Sequence, residues 1–263
     1  MSILTMTTDW GLRDHYLAAF KGELISRSRD IRIVDISHEI EKFNILQASF
    51  IIKNAFRKFP EGSIHFIGLE GNTQPESSSF LIVKSEGHFF IGRDSGIFSL
   101  ILDNQSKEVY DLKIESSADN SIIYSRLIDI LCSLSEGEQA EKLGQVADSV
   151  IQSYFARPTT DHTGIRAVVI YIDDFGNVIV NVSKELFDDQ RKGRKFTIFL
   201  RKAQYNINRI SNNYTDAESG EIVAFFNRDG YLEIALNRES AAGLLGIKVL
   251  ENIRIEFDDN ENS

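Results

Sequence analysis

The chain has 263 residues, 42% of them apolar and 26% charged, which is enough for a sizeable core in one large domain or two ordinary ones. A formal net charge of −10 disfavours nucleic acid or an anionic membrane as partner, since both call for a basic surface. Cys132 is the single cysteine, which excludes an internal disulfide and a thiolate zinc cluster and fits a reducing cytoplasm.

The N-terminus, MSILTMTTDWG, has neither the basic start nor the long apolar run of a secretion signal, and no stretch approaches the ~18 apolar residues of a membrane span. Residues 2–7 form a short apolar strand pattern. Residues 14–27 carry Tyr16, Leu17, Phe20, Leu24 and Ile25 at helical spacing. A β-branched strand is predicted at 31–36 and an amphipathic helix at 44–59, with Asn44 as its N-cap. The next strand is 63–69. A hairpin pair follows at 80–84 and 88–91, then helices at 97–102 and 122–134. Alternation of apolar strands with helices argues for a mostly parallel or mixed sheet covered on both faces.

The pattern changes at YFARPTTDHTGI, which is polar, contains Pro158 and has no period, so residues 154–165 read as a linker. Beyond it come short strand signals at 167–172, 178–182, 195–200, 221–226 and 231–235. The expectation is an α/β N-terminal domain over residues 1–153 and a small all-β, barrel-like C-terminal domain over 166–263.

No dinucleotide fingerprint, P-loop or HExxH motif is present, and the five histidines lack metal-ligand spacing, so no metal or cofactor is expected. Four polar clusters stand out. In TTDWGLRD, Asp9 directly follows the first strand, where a carboxylate can accept both hydroxyls of a ribose; equally, Asp9 and Asp14 can cap the following helix. The loop after residue 69 holds Glu70, Thr73 and Ser77, at the position where α/β proteins place chemistry, or simply forms a solvated turn. DDFGNVIVN reads as a turn between strands. FFNRDGYLEIALNRESAA places a hairpin turn at 227–230, with Asn237 as a polar residue emerging from a strand.

Together these clusters resemble the S-adenosyl-L-methionine (SAM) hydrolase family, also called the SAM hydroxide adenosyltransferases, to which the fluorinase and chlorinase are related. The resemblance rests on TTDWGLRDHYLAAFKG, RIVDISHEI, IDDFGNVIVN, YTDAESGE and NRDGYLEIALNRESAA, and covers nearly the whole chain. It implies a homotrimer that binds adenosyl groups between the N-domain of one subunit and the C-domain of its neighbour. It implies SAM, adenosine and methionine as small-molecule partners, with SAM as substrate. Asp9 matches the ribose-diol carboxylate and Phe43 an aromatic beside the ribose. Asp173 and Asn177 match contacts to the methionine part and the adenine edge. Phe175 and Tyr214 match rings that sandwich adenine, a flat heterocycle that gains from stacking on aromatic faces.

The same resemblance exposes departures. Family hydrolases hold the attacking water with an Asp–Arg–His set. Here Glu70 stands at the aspartate position, Ser77 at the arginine position, and Tyr124, in IIYSRLID, at the histidine position. Glu70 keeps a carboxylate, Ser77 loses a cation, and a tyrosine with an ordinary pKa near ~10 is a poor base at neutral pH. Arg93 and Arg126 are candidates for the missing charge. Ser125 and Thr73 fall on halide-contacting positions of the halogenases, but an ionised Glu70 would repel a halide. Asn227 and Arg228 lie on the C-terminal turn, where Arg228 and Asp229 depart from the usual residues at the methionine end. The resemblance therefore implies a SAM hydrolase with an altered catalytic set, with a catalytically silent SAM- or adenosine-binding protein as the alternative and a SAM-dependent halogenase as a third reading.

Overall fold

The computed structural model describes residues 2–69, 79–103, 105–115 and 119–258. The chain divides into two compact units, Met1–Phe155 and Ala156–Ser263.

The first unit contains strands β1 (Ser2–Thr8), β2 (Ile31–Ser37), β3 (Ile64–Gly68), β4 (Phe80–Ser85), β5 (His88–Arg93), β6 (Glu108–Asp111) and β7 (Gln145–Val146). Its helices are α1 (Tyr16–Arg27), α2 (Ile45–Ala55), α3 (Ile97–Leu102), α4 (Asn120–Ser135) and α5 (Ala140–Leu143). The strands make one sheet in the order β2-β1-β3-β5-β4-β6-β7. The β2–β1, β1–β3 and β3–β5 pairs are parallel; β5–β4, β4–β6 and β6–β7 are antiparallel. The sheet is mixed, as the hairpin at 80–91 requires.

Strand alternation assigns the two faces. Leu4, Met6, Ile64 and Phe66 point into one core with Leu17, Phe20 and Leu24 of α1 and Ile123, Leu127 and Leu131 of α4. Ile67, Leu81, Val83 and Phe90 point the other way, against Ala48 and Ile52 of α2 and Phe98 and Ile101 of α3. Burial on both faces explains why β3 reads as a continuous apolar run.

Helix boundaries follow local capping. Helix α2 starts after Asn44, whose side chain accepts the Gln47 amide. Asp119 caps α4 by accepting the Ser121 amide at 2.8 Å, so this helix begins two residues before its apolar pattern does. Helix α1 begins at Tyr16 with no side-chain cap; neither Asp9 nor Asp14 serves as its N-cap residue, which is His15.

The second unit contains β8 (Thr159–Asp161), β9 (Gly164–Ile172), β10 (Val178–Ser183), β11 (Phe196–Phe199), β12 (Ile222–Phe226), β13 (Tyr231–Leu236) and β14 (Asn252–Phe257), with short helices α6 (Lys184–Arg191) and α7 (Ala241–Leu245). All pairs are antiparallel, in the order β11-β14-β9-β10-β13-β12, with β8 on β9. Strand β9 spans nine residues and changes partners along its length, pairing with β14 through its first half and β10 through its second. The result is a curled, open sheet, a half-barrel whose ends are β11 and β12. Val169, Val180, Phe187, Ile198, Ile234 and Ile255 fill its concave core.

Two features differ from the sequence reading. The segment 154–165 holds β8 and the start of β9, because the Asp161 carboxylate accepts the Thr163 and Gly164 amides and closes a hairpin. Strand β14 lies beyond the last strand read from the sequence. Its alternation is plain, with Ile253, Ile255 and Phe257 buried and Arg254 turned outward.

Candidate functional site

Each unit carries one cluster of candidate residues. In the first, the cluster forms where β1 and β3 end. Asp9 follows β1 and is 1% exposed. Its Oδ2 accepts the Phe43 amide at 3.1 Å, and its backbone carbonyl accepts from the Lys42 ammonium. The turn after β1 is clasped by His38: Thr8 Oγ1 lies 2.8 Å from its Nδ1, and its carbonyl accepts the Gly11 amide at 2.8 Å.

Phe43 has φ of 65°, a left-handed backbone that a bulky residue adopts only under constraint. The Asp9 bond supplies part of that constraint, and the Asn44 cap of α2 supplies the rest. The ring itself stays 53% exposed. A strained backbone that holds an aromatic ring in solvent is poor packing but a good platform for a planar or ribosyl ligand.

Tyr124 and Ser125 lie on α4, beside α1. Tyr124 is half-buried, its ring edge-on to Trp10 at 5.2 Å. The pair lines a cavity of about 730 Å³ together with Trp10, Asp14, Phe20 and Lys42. Tyr124 also borders a second space of about 20 Å³ with Trp10, Leu69, Phe80 and Arg93, about enough for one water molecule. There the Arg93 guanidinium carbon sits 4.4 Å from the centre of the Phe80 ring, a cation–π contact. Gly68 is required at this point, because a Cβ would approach Phe66 and Trp10 to 2.9 Å.

The two candidate arginines are thereby told apart. Arg93 shares the one-water space with Tyr124, whereas Arg126 is exposed on an open surface beside Asp129. The Ser125 hydroxyl accepts from Arg27 Nη2 at 3.1 Å; Arg27 also pairs with Glu23 and Asp129. Glu70, Thr73 and Ser77 lie outside the described residues.

In the second unit, Asp173, Phe175 and Asn177 occupy the turn between β9 and β10. The Asp173 carboxylate accepts the amides of Phe175 (3.0 Å) and Asn177 (2.8 Å) and the Asn177 side-chain nitrogen (2.9 Å). Gly176 packs so tightly that a Cβ would meet Ser240 Oγ at 2.0 Å. The turn leaves Phe175 79% exposed. Asn177 Nδ2 also reaches the Tyr214 hydroxyl at 3.5 Å. That hydroxyl donates to Glu233 Oε1 at 2.5 Å, and Asn227 Nδ2 donates to Glu233 Oε2 at 3.1 Å. Burial and the Glu233 bond both push the Tyr214 phenol above its ordinary pKa. Phe175, Asn177 and Tyr214 line a cavity of about 620 Å³ with Leu236, Asn237 and Ser240. Arg228 is exposed on the β12–β13 turn and is not part of that lining.

Sequence reasoning missed Glu233, the carboxylate at the centre of this network. Its signal was available: YLEIAL is a buried strand interrupted by one acid. Lys42, which lines the first cavity, and Ser240, which lines the second, were also missed. Among the described residues, no group of three His, Cys, Asp or Glu side chains could hold a metal ion, and no helix is long and apolar enough to cross a membrane.

An α/β unit followed in the chain by an antiparallel β unit is consistent with the two domains of a SAM hydroxide adenosyltransferase. Residues 4–144 match the SAM hydroxide adenosyltransferase N-terminal domain and residues 167–254 the C-terminal domain, so the chain belongs to that family. It is 27% identical over 272 residues to the (R)-S-adenosyl-L-methionine hydrolase of Methanocaldococcus jannaschii, covering 98% of this chain and 97% of that protein. It is 24% identical over 290 residues to the fluorinase of Actinopolyspora mzabensis, with 96% of each covered. A solved structure of an uncharacterized conserved protein from Thermotoga maritima has the same fold, with a TM-score of 0.84 at 22% identity over 96% of this chain and 99% of that one.

Proposed function

We propose that the protein binds S-adenosyl-L-methionine and hydrolyses it to adenosine and L-methionine, water attacking the C5′ carbon. The observation that carries this reading is the Asp9–Phe43 pair, a buried carboxylate holding an exposed ring in a left-handed backbone. In this reading Asp9 accepts the ribose hydroxyls and Phe43 packs beside the sugar. Phe175 stacks on the adenine, the Tyr214 hydroxyl and Asn177 meet its edge, and Asp173, Asn227 and Arg228 serve the methionine end. The N-terminal and C-terminal half-sites meet across subunits of a homotrimer in the cytoplasm. SAM is the substrate and no resident cofactor takes part.

The chemistry asks little beyond alignment. The C5′–S bond breaks with its electron pair going to sulfur, so methionine leaves as a neutral thioether, positive charge disperses in the transition state, and the attacking water's proton passes to solvent as the C–O bond forms. Positioning and partial desolvation of the water are the main contributions. Glu70, which follows Leu69 in the chain, is assigned to orient the water, with Tyr124 and Ser125 lining its pocket and Ser77 at the position of the family's arginine. Arg93, which borders the one-water space with Tyr124, supplies the cation that Ser77 lacks.

A catalytically silent binding protein is the second reading. It is favoured by Ser125, whose hydroxyl is engaged by Arg27. The test is adenosine release. Purified protein is incubated with SAM, with and without added halide, and the nucleosides are separated against a no-protein blank. Adenosine above the blank supports hydrolysis; a halogenated nucleoside in the halide arm would show a halogenase instead. Intact SAM together with a raised melting temperature would show the silent binder. Intact SAM with no thermal shift from SAM or adenosine would overturn the adenosyl reading itself.

A further inference from the structure

The C-terminal cavity has a wall whose hydrogen-bond polarity is fixed from behind. Glu233 is 5% exposed, on the strand between Ile179 and Phe225, and has no salt-bridge partner among the described residues. A carboxylate only accepts, so the Tyr214 hydroxyl, 2.5 Å away, must spend its single hydrogen on Glu233. The phenol oxygen is then left to the cavity side as an acceptor. Asn177 is constrained in the same sense. One hydrogen of its side-chain amide goes to Asp173 Oδ2 and the other points at the Tyr214 oxygen. Its Oδ1 receives no hydrogen bond from the described residues.

Glu233 cannot be swapped for its amide without a rearrangement. Asn227 is held in one orientation, because its Oδ1 accepts the Asp229 and Tyr231 amides, each at 3.1 Å, so its Nδ2 must face residue 233. A glutamine there would give its oxygen to Asn227 and turn its NH₂ toward Tyr214. The phenol would then accept from residue 233 and direct its own hydrogen toward the cavity.

We propose that Glu233 is a positioning residue that makes the Tyr214–Asn177 wall accept rather than donate, so that it selects a base edge bearing an amino group over one bearing a carbonyl. The inference rests on the adenosyl reading above. A buried acid with two neutral partners is costly as packing alone; as the group that sets Tyr214's polarity it has a use. Burial first, and the hydrogen bond to Glu233 second, raise the Tyr214 pKa and keep the phenol protonated.

The probes are adenosine, with a 6-amino group, and inosine, with a 6-oxo group, and the readout is the ratio of their dissociation constants by calorimetry on the full-length protein. Wild type is expected to prefer adenosine at least tenfold. Glu233→Gln should bring the ratio to about threefold or less, mainly by improving inosine binding; a merely structural role would weaken both nucleosides together. Tyr214→Phe is the second variant, removing the hydroxyl while leaving Glu233 bonded to Asn227, and should also narrow the ratio. If either folded variant keeps the wild-type ratio, the role of Glu233 is overturned. If wild type binds neither nucleoside, the adenosyl reading fails and takes this inference with it, which is a different result from binding without a change in selectivity.

Discussion

The two units carry their candidate residues in opposite ways. In the C-terminal unit the polar groups bond mainly to one another: Asp173, Asn177, Tyr214, Glu233 and Asn227 form one continuous chain of hydrogen bonds. In the N-terminal unit they bond to backbone and scaffold: Asp9 to the Phe43 amide, Ser125 to Arg27, Arg93 against the Phe80 ring. A closed network holds a rigid shape, which suits recognition of a flat base. Separately anchored groups around open space suit a reaction in which a water and a leaving group must move. Loss of one residue should therefore act through its neighbours in the C-terminal unit and singly in the N-terminal one.

The largest effect is expected from Asp9→Ala. The variant removes the proposed ribose acceptor and frees the Phe43 amide together. Adenosine affinity should fall about 100-fold, or ~2.7 kcal/mol, by calorimetry. A loss under threefold would remove Asp9 from the site and leave its carboxylate a scaffold for the Phe43 turn alone.

Acid should weaken the N-terminal unit through a histidine that has no part in the proposed chemistry. His65 is buried on β3, with Thr5 Oγ1 at 2.7 Å from one ring nitrogen and His88 at 3.1 Å from the other. Burial first, and His88 second, lower its pKa from 6.5 to about 3. The unfolded chain therefore binds a proton that the folded chain refuses, so stability is full above about pH 6.5 and is lost as pH falls toward about 3. This site alone should cost about 2 kcal/mol between pH 7.5 and pH 5. Urea unfolding at both values, compared with His65→Gln, measures it. Equal slopes for the two proteins would show that His65 does not set the dependence.

Phe43→Gly separates stability from binding. Glycine adopts φ of 65° without strain. The exposed ring contributes little packing, so folding stability should stay within about 1 kcal/mol of wild type. Adenosine affinity should nonetheless fall about tenfold, ~1.4 kcal/mol, for loss of an aromatic contact. A variant that unfolds easily but binds normally would make Phe43 a structural residue.

The fold was legible because its signals are local. Apolar runs mark β1 and β3, Asn44 announces α2, and the hairpin at 80–91 shows in its own residues. Strand β14 alternates between buried and outward residues, a signal that is equally local. The site was legible only as far as the family motifs reach. What joins the motif residues acts across distance: Asp9 to Phe43 spans 34 residues and Asn177 to Tyr214 spans 37. Nothing near Arg93 in the sequence shows that it stacks on Phe80, and nothing near Phe43 shows its backbone turning left-handed.

The smallest effect is expected at Ser125, and it bears most directly on the contrast between the units. The halogenase resemblance makes this hydroxyl a halide contact. In the fold it receives a hydrogen bond from Arg27 Nη2 at 3.1 Å, and Arg27 is itself held by Glu23 and Asp129. An anion at Ser125 would be near that guanidinium but also near the two carboxylates that already balance it. Ser125→Ala should therefore change adenosine release by less than threefold, with or without halide, because Arg27 stays held by Glu23 and Asp129 after the loss of one solvent-exposed bond. A tenfold loss confined to the halide arm would place an anion at Ser125 and move the site toward the halogenases. A tenfold loss in both arms would mean that Arg27 and Ser125 act together on the water, making this part of the N-terminal unit as interlocked as the C-terminal network.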